Sequence, residues 1–140
     1  MVYVDTSVIV ALLTLEPATP AVMKWYAGLK ELPVSSDWLL TEFSSALSIK
    51  LRSGQLSEAA ARAVRREFLL LSSGGLRLVQ VSRTAFKAAA EMSQSHKPGL
   101  RSGDSLHLAI AQEIGAKTIA TLDGIMVKNA KRLKFKSVKF

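Results

Sequence analysis

Cysteine is absent from the 140-residue chain. Its absence excludes a disulfide framework, a thiolate metal site and a thiol nucleophile. Apolar residues make up 49% of the sequence, yet no apolar run reaches the roughly eighteen residues of a bilayer-spanning helix. The opening segment has no basic region and is interrupted at Asp5, so it does not fit a secretory signal. We therefore expect a soluble, cytoplasmic protein with no membrane association.

Histidine is scarce, occurring only at His96 and His107. A Ser-His-Asp hydrolase is disfavoured because no G-x-S-x-G motif is present, and we expect His107 to be a hydrogen-bonded core residue. The phosphate-binding motifs G-x-x-x-x-G-K-[ST] and G-x-G-x-x-G are also missing, which removes support for nucleotide-dependent chemistry. A phosphatase with an Asp-x-Asp nucleophile is excluded as well, since Ser7 stands two residues after Asp5.

Acidic residues are outnumbered, with 11 Asp and Glu against 19 Lys and Arg, a net charge of +8 and a pI near 10.1. This balance favours binding to polyanions, and nucleic acid is the first partner to consider. The basic residues form two groups along the chain: Arg62, Arg65 and Arg66, and then Lys128, Lys131, Arg132, Lys134, Lys136 and Lys139. Either group could equally be a solvated face, so charge alone does not decide the function.

The length predicts one domain, spanning residues 1–140. Short apolar strands are predicted at 2–4, 76–81, 118–121 and 135–140. Helices are predicted at 8–13, 20–28, 38–51, 57–71, 84–95, from 102–104 to 114, and 125–133, with a polar loop at 96–100. Such alternation is typical of a three-layer α/β/α sandwich with a central, mostly parallel sheet.

Two aspartates are predicted at one edge of that sheet. Asp5 follows the first strand and Asp123 follows the strand at 118–121, and ligands of parallel sheets gather at the carboxyl ends of strands. Each acid also has an ordinary structural explanation. Asp5 and Asp104 could be helix N-caps, and Asp123 precedes Gly124 in a pair typical of turns.

Glu42 is harder to explain structurally. It lies inside the predicted helix at 38–51, beside an apolar stripe where an unpaired carboxylate would be costly, so it needs a cation or a hydrogen-bond donor. Asp37 is the competing residue, which could cap this helix or replace Glu42 as a site residue. Carboxylates that converge repel one another unless a hard cation such as Mg²⁺ or Mn²⁺ neutralises them.

Four segments of the chain carry a recognisable pattern: Asp5-Thr6-Ser7 after the opening strand, Glu42 after Ser35-Ser36-Asp37-Trp38, Gly103-Asp104-Ser105-Leu106-His107-Leu108-Ala109, and Thr121-Leu122-Asp123 with Met126 following. In this order, and from end to end, the chain resembles the PIN domain and more narrowly the VapC-type toxin ribonucleases of bacterial and archaeal toxin–antitoxin modules.

This resemblance implies a PIN-like fold and a metal-dependent endoribonuclease that cleaves RNA with metal-activated water, leaving a 5′-phosphate and a 3′-hydroxyl. It implies one or two Mg²⁺ or Mn²⁺ ions surrounded by Asp5, Glu42, Asp104 and Asp123, with support from the hydroxyls of Ser7 and Thr121. It further implies a homodimer whose two sites share a groove, and a VapB-like antitoxin that occludes this groove.

Roles within the site remain predictions. We expect Asp5 and Asp104 to hold the metal most directly, while Glu42 and Asp123 orient or deprotonate water. Arg101 precedes Asp104 by one helical turn, and we predict that it contacts a substrate phosphate or an antitoxin carboxylate. Two alternatives stay open: a PIN nuclease of RNA processing, and a non-catalytic PIN-fold module that binds nucleic acid through its basic faces.

Overall fold

The computed structural model describes residues 1–97 and 99–140, in which five short strands form one sheet surrounded by helices. The strands are β1 (Val2–Val4), β2 (Val34–Ser36), β3 (Arg77–Val79), β4 (Thr118–Ala120) and β5 (Lys136–Ser137). The helices are α1 (Thr6–Leu13), α2 (Thr19–Ala27), α3 (Trp38–Arg52), α4 (Glu58–Leu70), α5 (Arg83–Gln94), α6 (Ser102–Glu113) and α7 (Gly124–Arg132), and a π-helical turn (Leu71–Gly75) follows α4. Within these ranges, no helix combines the length and the apolar character needed to cross a membrane.

The sheet is parallel, with the strand order β3-β2-β1-β4-β5. The chain therefore builds outward from β1 to β2 and β3, and then returns to place β4 on the other side of β1. Tyr3 is in register with Ile119, and Val4 with Ala120. The topological switch point lies between β1 and β4, and the crevice beyond the carboxyl ends of such strands is where α/β proteins bind ligands.

Alternate residues of the central strands face two separate hydrophobic layers. Tyr3 and Ile119 pack into a core with apolar side chains of α5, α6 and α7. Val4 and Ala120 pack into a second core with side chains from α1, α2 and α3. This period of two across a sheet with helices on both faces confirms the predicted three-layer α/β/α sandwich.

Several observed elements differ from the predicted ones. The strand β2 and the π-helical turn were not predicted, β3 is limited to Arg77–Val79 instead of 76–81, and β5 is limited to Lys136–Ser137 instead of 135–140. In β2, Ser35 and Ser36 are fully buried, and Ser35 Oγ donates a hydrogen bond to the Val4 carbonyl at 2.8 Å. The predicted loop at 96–100 includes Pro98, which lies outside the described residues.

Candidate active site

All four predicted acids line one cleft, which lies beyond the carboxyl ends of β1 and β4 and has a volume of about 440 Å³. They come from four separate parts of the chain: Asp5 between β1 and α1, Glu42 in α3, Asp104 in α6, and Asp123 between β4 and α7. Among the other residues that line the cleft are Thr6, Ser7, Arg101, Gly103 and His107. The structure thus gathers residues that are up to 118 positions apart in sequence, from Asp5 to Asp123.

Asp5 is the most buried of the four acids, with 4% of its surface exposed. It caps α1, where Oδ1 accepts hydrogen bonds from the backbone N–H of Ser7 at 3.0 Å and from the Ser7 hydroxyl at 2.6 Å. Oδ2 accepts a hydrogen bond from the Thr121 hydroxyl at 2.5 Å. Burial raises the pKa of Asp5, and the charge of His107 and the two hydroxyls act in the opposite direction.

The two predicted supporting hydroxyls connect the ends of the two central strands. The Ser7 Oγ atom also accepts a hydrogen bond from the backbone N–H of Leu122 at 2.9 Å, and Thr121 Oγ1 accepts one from the N–H of Asp123 at 3.0 Å. Each hydroxyl therefore donates to Asp5 and accepts from the segment that leads to Asp123. This arrangement fixes the position of Asp5 relative to the start of α7.

Arg101 joins the two remaining aspartates at the mouth of the cleft. Its Nε lies 3.3 Å from Asp104 Oδ2, and its Nη2 lies 3.0 Å from Asp123 Oδ2. Asp104 Oδ2 also accepts the Arg101 backbone N–H at 3.0 Å, which satisfies an amide at the start of α6. The Arg101 side chain is 73% exposed, so these ion pairs contribute little stability. The charge of Asp104 raises the pKa of Arg101, which remains a cation.

Glu42 is paired with two hydrogen-bond donors, as its apolar surroundings require. Its Oε2 accepts a hydrogen bond from the Thr6 hydroxyl and lies 2.6 Å from His107 Nε2. Burial acts to raise the pKa of Glu42, but the hydrogen bond and charge of His107 outweigh it and lower the pKa. Asp37, the competing acid, is exposed, makes no capping hydrogen bond and does not line the cleft. The structure therefore favours Glu42 over Asp37 as the cleft residue.

His107 is a cleft residue that the sequence analysis placed in the core. It is 2% exposed, as expected for a hydrogen-bonded core residue, but its Nε2 faces Glu42. Its Nδ1 lies 2.8 Å from the Tyr3 hydroxyl, which is 3.2 Å from Ser36 Oγ. The sequence did contain a signal for this role, because His107 lies three residues after Asp104 and thus on the same face of α6.

The chemistry of the cleft fits a hard divalent cation. Carboxylate oxygens are the ligands that Mg²⁺ and Mn²⁺ prefer, and the Arg101 guanidinium shows that Asp104 and Asp123 together attract a positive group. Across residues 1–97 and 99–140, no three His, Asp or Glu side chains are close enough together to form a metal cluster.

Two basic clusters differ in their relation to the cleft. The α7 cluster, which consists of Lys128, Lys131 and Arg132, is exposed on the helix that begins directly after Asp123, and no acidic residue follows Asp123 in the chain. The α4 cluster, which consists of Arg62, Arg65 and Arg66, is also exposed, but Glu58 and Glu67 lie on the same helix. The α7 cluster therefore carries positive charge on a helix without acidic residues, unlike the α4 cluster.

Solved structures of similar fold include VapC20 of Mycobacterium tuberculosis, a sarcin-ricin loop cleaving toxin, with a TM-score of 0.74, 20% identity and coverage of 92% of this chain and 95% of that chain. FitAcB of Neisseria gonorrhoeae matches with a TM-score of 0.71 and 18% identity, and the match covers 99% of this chain and 97% of that chain. VapBC2 of Rickettsia felis, bound to a promoter DNA fragment, matches with a TM-score of 0.66 and 17% identity, and the match covers 100% of this chain and 99% of that chain. At these identities the similarity is one of fold.

Comparison with curated protein sequences gives no match. The family profile of the PIN domain, in contrast, matches residues 2–132, which is nearly the whole chain. The matched range includes the positions of all four cleft acids. It agrees with the resemblance inferred from those segments, and the chain therefore belongs to the PIN domain family.

Proposed function

We propose that this chain is a Mg²⁺- or Mn²⁺-dependent endoribonuclease of the VapC type, acting as the toxin of a toxin–antitoxin pair in the cytoplasm. Residues 1–140 would form its single domain. The observation that carries the proposal is the convergence of four acids, from four separate segments, on one cleft at the switch point of a PIN-domain sheet. Carboxylates that are brought close together repel one another unless a cation neutralises their charge.

Asp5, Asp104 and Asp123, with Glu42, are the residues that would hold the metal. When bound, the metal supplies an activated water molecule and neutralises charge that develops on the phosphate. Asp5 is suited to a fixed ligand because hydroxyls of Ser7 and Thr121 hold both of its oxygens in place. A well-held carboxylate loses little freedom when it binds a cation.

The other cleft residues would act on water and on the substrate. Glu42 and Asp123 would orient or deprotonate the attacking water, since both present a carboxylate to the cleft. The exposed Arg101 guanidinium has the geometry to donate paired hydrogen bonds to a phosphate oxygen once it is released from the aspartates. The α7 cluster would contact the RNA backbone next to the cleft.

The proposal is tested by cleavage of a structured RNA, with and without a chelator, by the wild type and by Asp5→Asn. A suitable substrate contains a sarcin-ricin loop, the target named for VapC20. We expect products with a 5′-phosphate from the wild type but not from Asp5→Asn, and none from any sample after chelation. Asp37→Asn is the matched control, because Asp37 is exposed and lies outside the cleft, and it should cleave normally. Equal cleavage in all samples would reject the proposal.

The partners follow from the same proposal. FitAcB and VapBC2 are similar in fold to this chain, and a VapB-like antitoxin would be expected to cover the acidic cleft. A small DNA-binding protein encoded directly upstream is the candidate to co-purify with this chain and to inhibit cleavage. We also expect a homodimer, which light scattering after gel filtration can test.

The sequence also left two other functions open, and the same assay separates them from the proposal. A non-catalytic module would bind RNA in a salt-dependent way without turnover. Such a module gains nothing from Asp5, which is 4% exposed and held by two hydroxyls, because its negative charge would only repel the phosphates of a bound RNA. A nuclease of RNA processing would cleave RNA but would have no co-encoded inhibitor.

A further inference from the structure

A buried hydrogen-bond chain crosses the interior of the protein and ends at Glu42. We infer that His107, held by Tyr3 and Ser36, is a positioning residue that fixes the Glu42 carboxylate for metal binding. This inference rests on the proposed function, and it assigns a role to three residues that are not themselves metal ligands. His107 would act through Glu42 without touching the substrate.

The chain of contacts is continuous and almost completely shielded from water. Ser36 Oγ lies 3.2 Å from the Tyr3 hydroxyl, which lies 2.8 Å from His107 Nδ1, and His107 Nε2 lies 2.6 Å from Glu42 Oε2. Ser36 and Tyr3 are fully buried, and His107 is 2% exposed. Only the Glu42 end reaches the cleft, where its side chain is 27% exposed. A rigid core thus ends at a single solvent-facing carboxylate.

The acceptor properties of a carboxylate fix the direction of the last hydrogen bond. An ionised Glu42 can only accept, so His107 Nε2 must carry a proton and donate it. The Tyr3 hydroxyl can either donate to Nδ1 or accept from it, so it holds the His107 ring in place in either protonation state, and Ser36 is the second partner of Tyr3. The Tyr3 hydroxyl therefore fixes the orientation of the ring that donates to Glu42. Groups behind a metal ligand commonly act in this way.

The two donors to Glu42 act on the same oxygen. Thr6 Oγ1 and His107 Nε2 both contact Oε2, so this oxygen is bound to the protein. The other oxygen, Oε1, lies on the side of Gly103, at the cleft wall. Holding Oε2 in this way fixes the position of the whole Glu42 carboxylate, which lines the cleft. Loss of His107, or of the Tyr3 contact that orients it, should therefore weaken metal binding.

The experiment measures Mn²⁺ affinity by calorimetry, together with melting temperature and RNA cleavage, for the full-length wild type and four variants. His107→Ala should lower Mn²⁺ affinity about 10- to 100-fold. His107→Gln, which retains an N–H donor, should recover part of this loss, and Tyr3→Phe should fall between the wild type and His107→Ala. Tyr26→Phe is the matched control, because the Tyr26 hydroxyl donates to the Gly75 carbonyl at 2.6 Å and lies outside the cleft lining.

Each outcome decides the inference. A loss of affinity in Tyr3→Phe and His107→Ala, with normal affinity in Tyr26→Phe, supports it. Normal affinity in Tyr3→Phe and His107→Gln overturns it, even if both variants melt at lower temperature, because the role of the chain would then be structural. If His107→Ala does not fold, Tyr3→Phe and His107→Gln decide alone. A wild type that neither binds Mn²⁺ nor cleaves RNA would instead refute the proposed function.

Discussion

Gly103, the second residue of α6, lies directly against the Glu42 carboxylate. A Cβ atom at this position would stand 2.3 Å from Glu42 Oε1 and 3.5 Å from Trp38 Nε1. We predict that Gly103→Ala displaces the carboxylate and lowers RNA cleavage about 100-fold, while the protein stays folded. The change adds one methyl group and leaves every cleft side chain present, so it tests geometry alone.

The size of the effect follows from the contact distances. Ordinary contacts of a Cβ begin at 3.4 Å, so Oε1 must retreat by about 1 Å, and an error of this size in a catalytic group can cost about 100-fold in rate. Retreat is difficult because His107 and Thr6 hold Oε2. The protein should stay folded, because the atoms nearest to the new methyl group are all side-chain atoms and no backbone has to move.

The assay compares kcat/KM for RNA cleavage and the melting temperature of Gly103→Ala with those of the wild type. Gly124→Ala is the matched control, because it lies at the start of α7 and a Cβ there has no neighbour within 4 Å. The control should match the wild type in both measurements. The reasoning is refuted if Gly103→Ala cleaves RNA at the wild-type rate. It is refuted equally if activity falls only together with a large loss of melting temperature.

Two further predictions concern the support of Asp5 and the approach of RNA. Thr121→Val removes the hydroxyl that donates to the buried Asp5 and should lower the free energy of unfolding by about 1–3 kcal/mol. Thr121→Ser keeps a hydroxyl and should retain most of the wild-type stability. Equal urea midpoints for the two variants would contradict this prediction. Replacing the α7 cluster with glutamine in an Asp5→Asn background should weaken single-stranded RNA binding and reduce the salt slope by about 2, at about 0.7 per lost phosphate contact. The same change in the α4 cluster should have a smaller effect in fluorescence anisotropy, and equal effects would show that only net charge matters.

The fold was predictable where local signals were strong. The helix start at Ser57 was marked by a capping residue, and Ser57 caps α4 through its side-chain oxygen. Asp123 was interpreted as a turn residue beside Gly124, but in the structure it caps α7. The strand β2 was missed because Val34-Ser35-Ser36 is short and two of its three residues are polar. Burial of the polar Ser35 side chain becomes favourable only through a partner distant in sequence, because its hydroxyl donates a hydrogen bond to the Val4 carbonyl.

The site was predictable for residues that follow strands and less so for residues that meet across the sheet. The positions of Asp5 and Asp123 followed from parallel strands that share one carboxyl edge. The contact between Tyr3 and His107 joins residues 104 positions apart, and no local pattern specifies it. The need of Glu42 for a donor was visible in its apolar setting, but the identity of that donor required the fold that places His107 Nε2 at 2.6 Å from Glu42 Oε2.

Asp123 is both a helix cap and a cleft acid, and the two uses do not compete because they involve different oxygens. Asp123 Oδ1 accepts the N–H groups of Ile125 and Met126 at 2.7 and 3.0 Å, while Oδ2 faces Arg101. Asparagine caps a helix about as well as aspartate, whereas alanine costs about 1 kcal/mol. Asp123→Asn should therefore abolish cleavage at unchanged stability, whereas Asp123→Ala should abolish cleavage and also lower stability. Urea unfolding and RNA cleavage assays measure the two effects. If both variants lose the same stability, the Oδ1 cap is not what holds the start of α7, and the separation of the two roles fails.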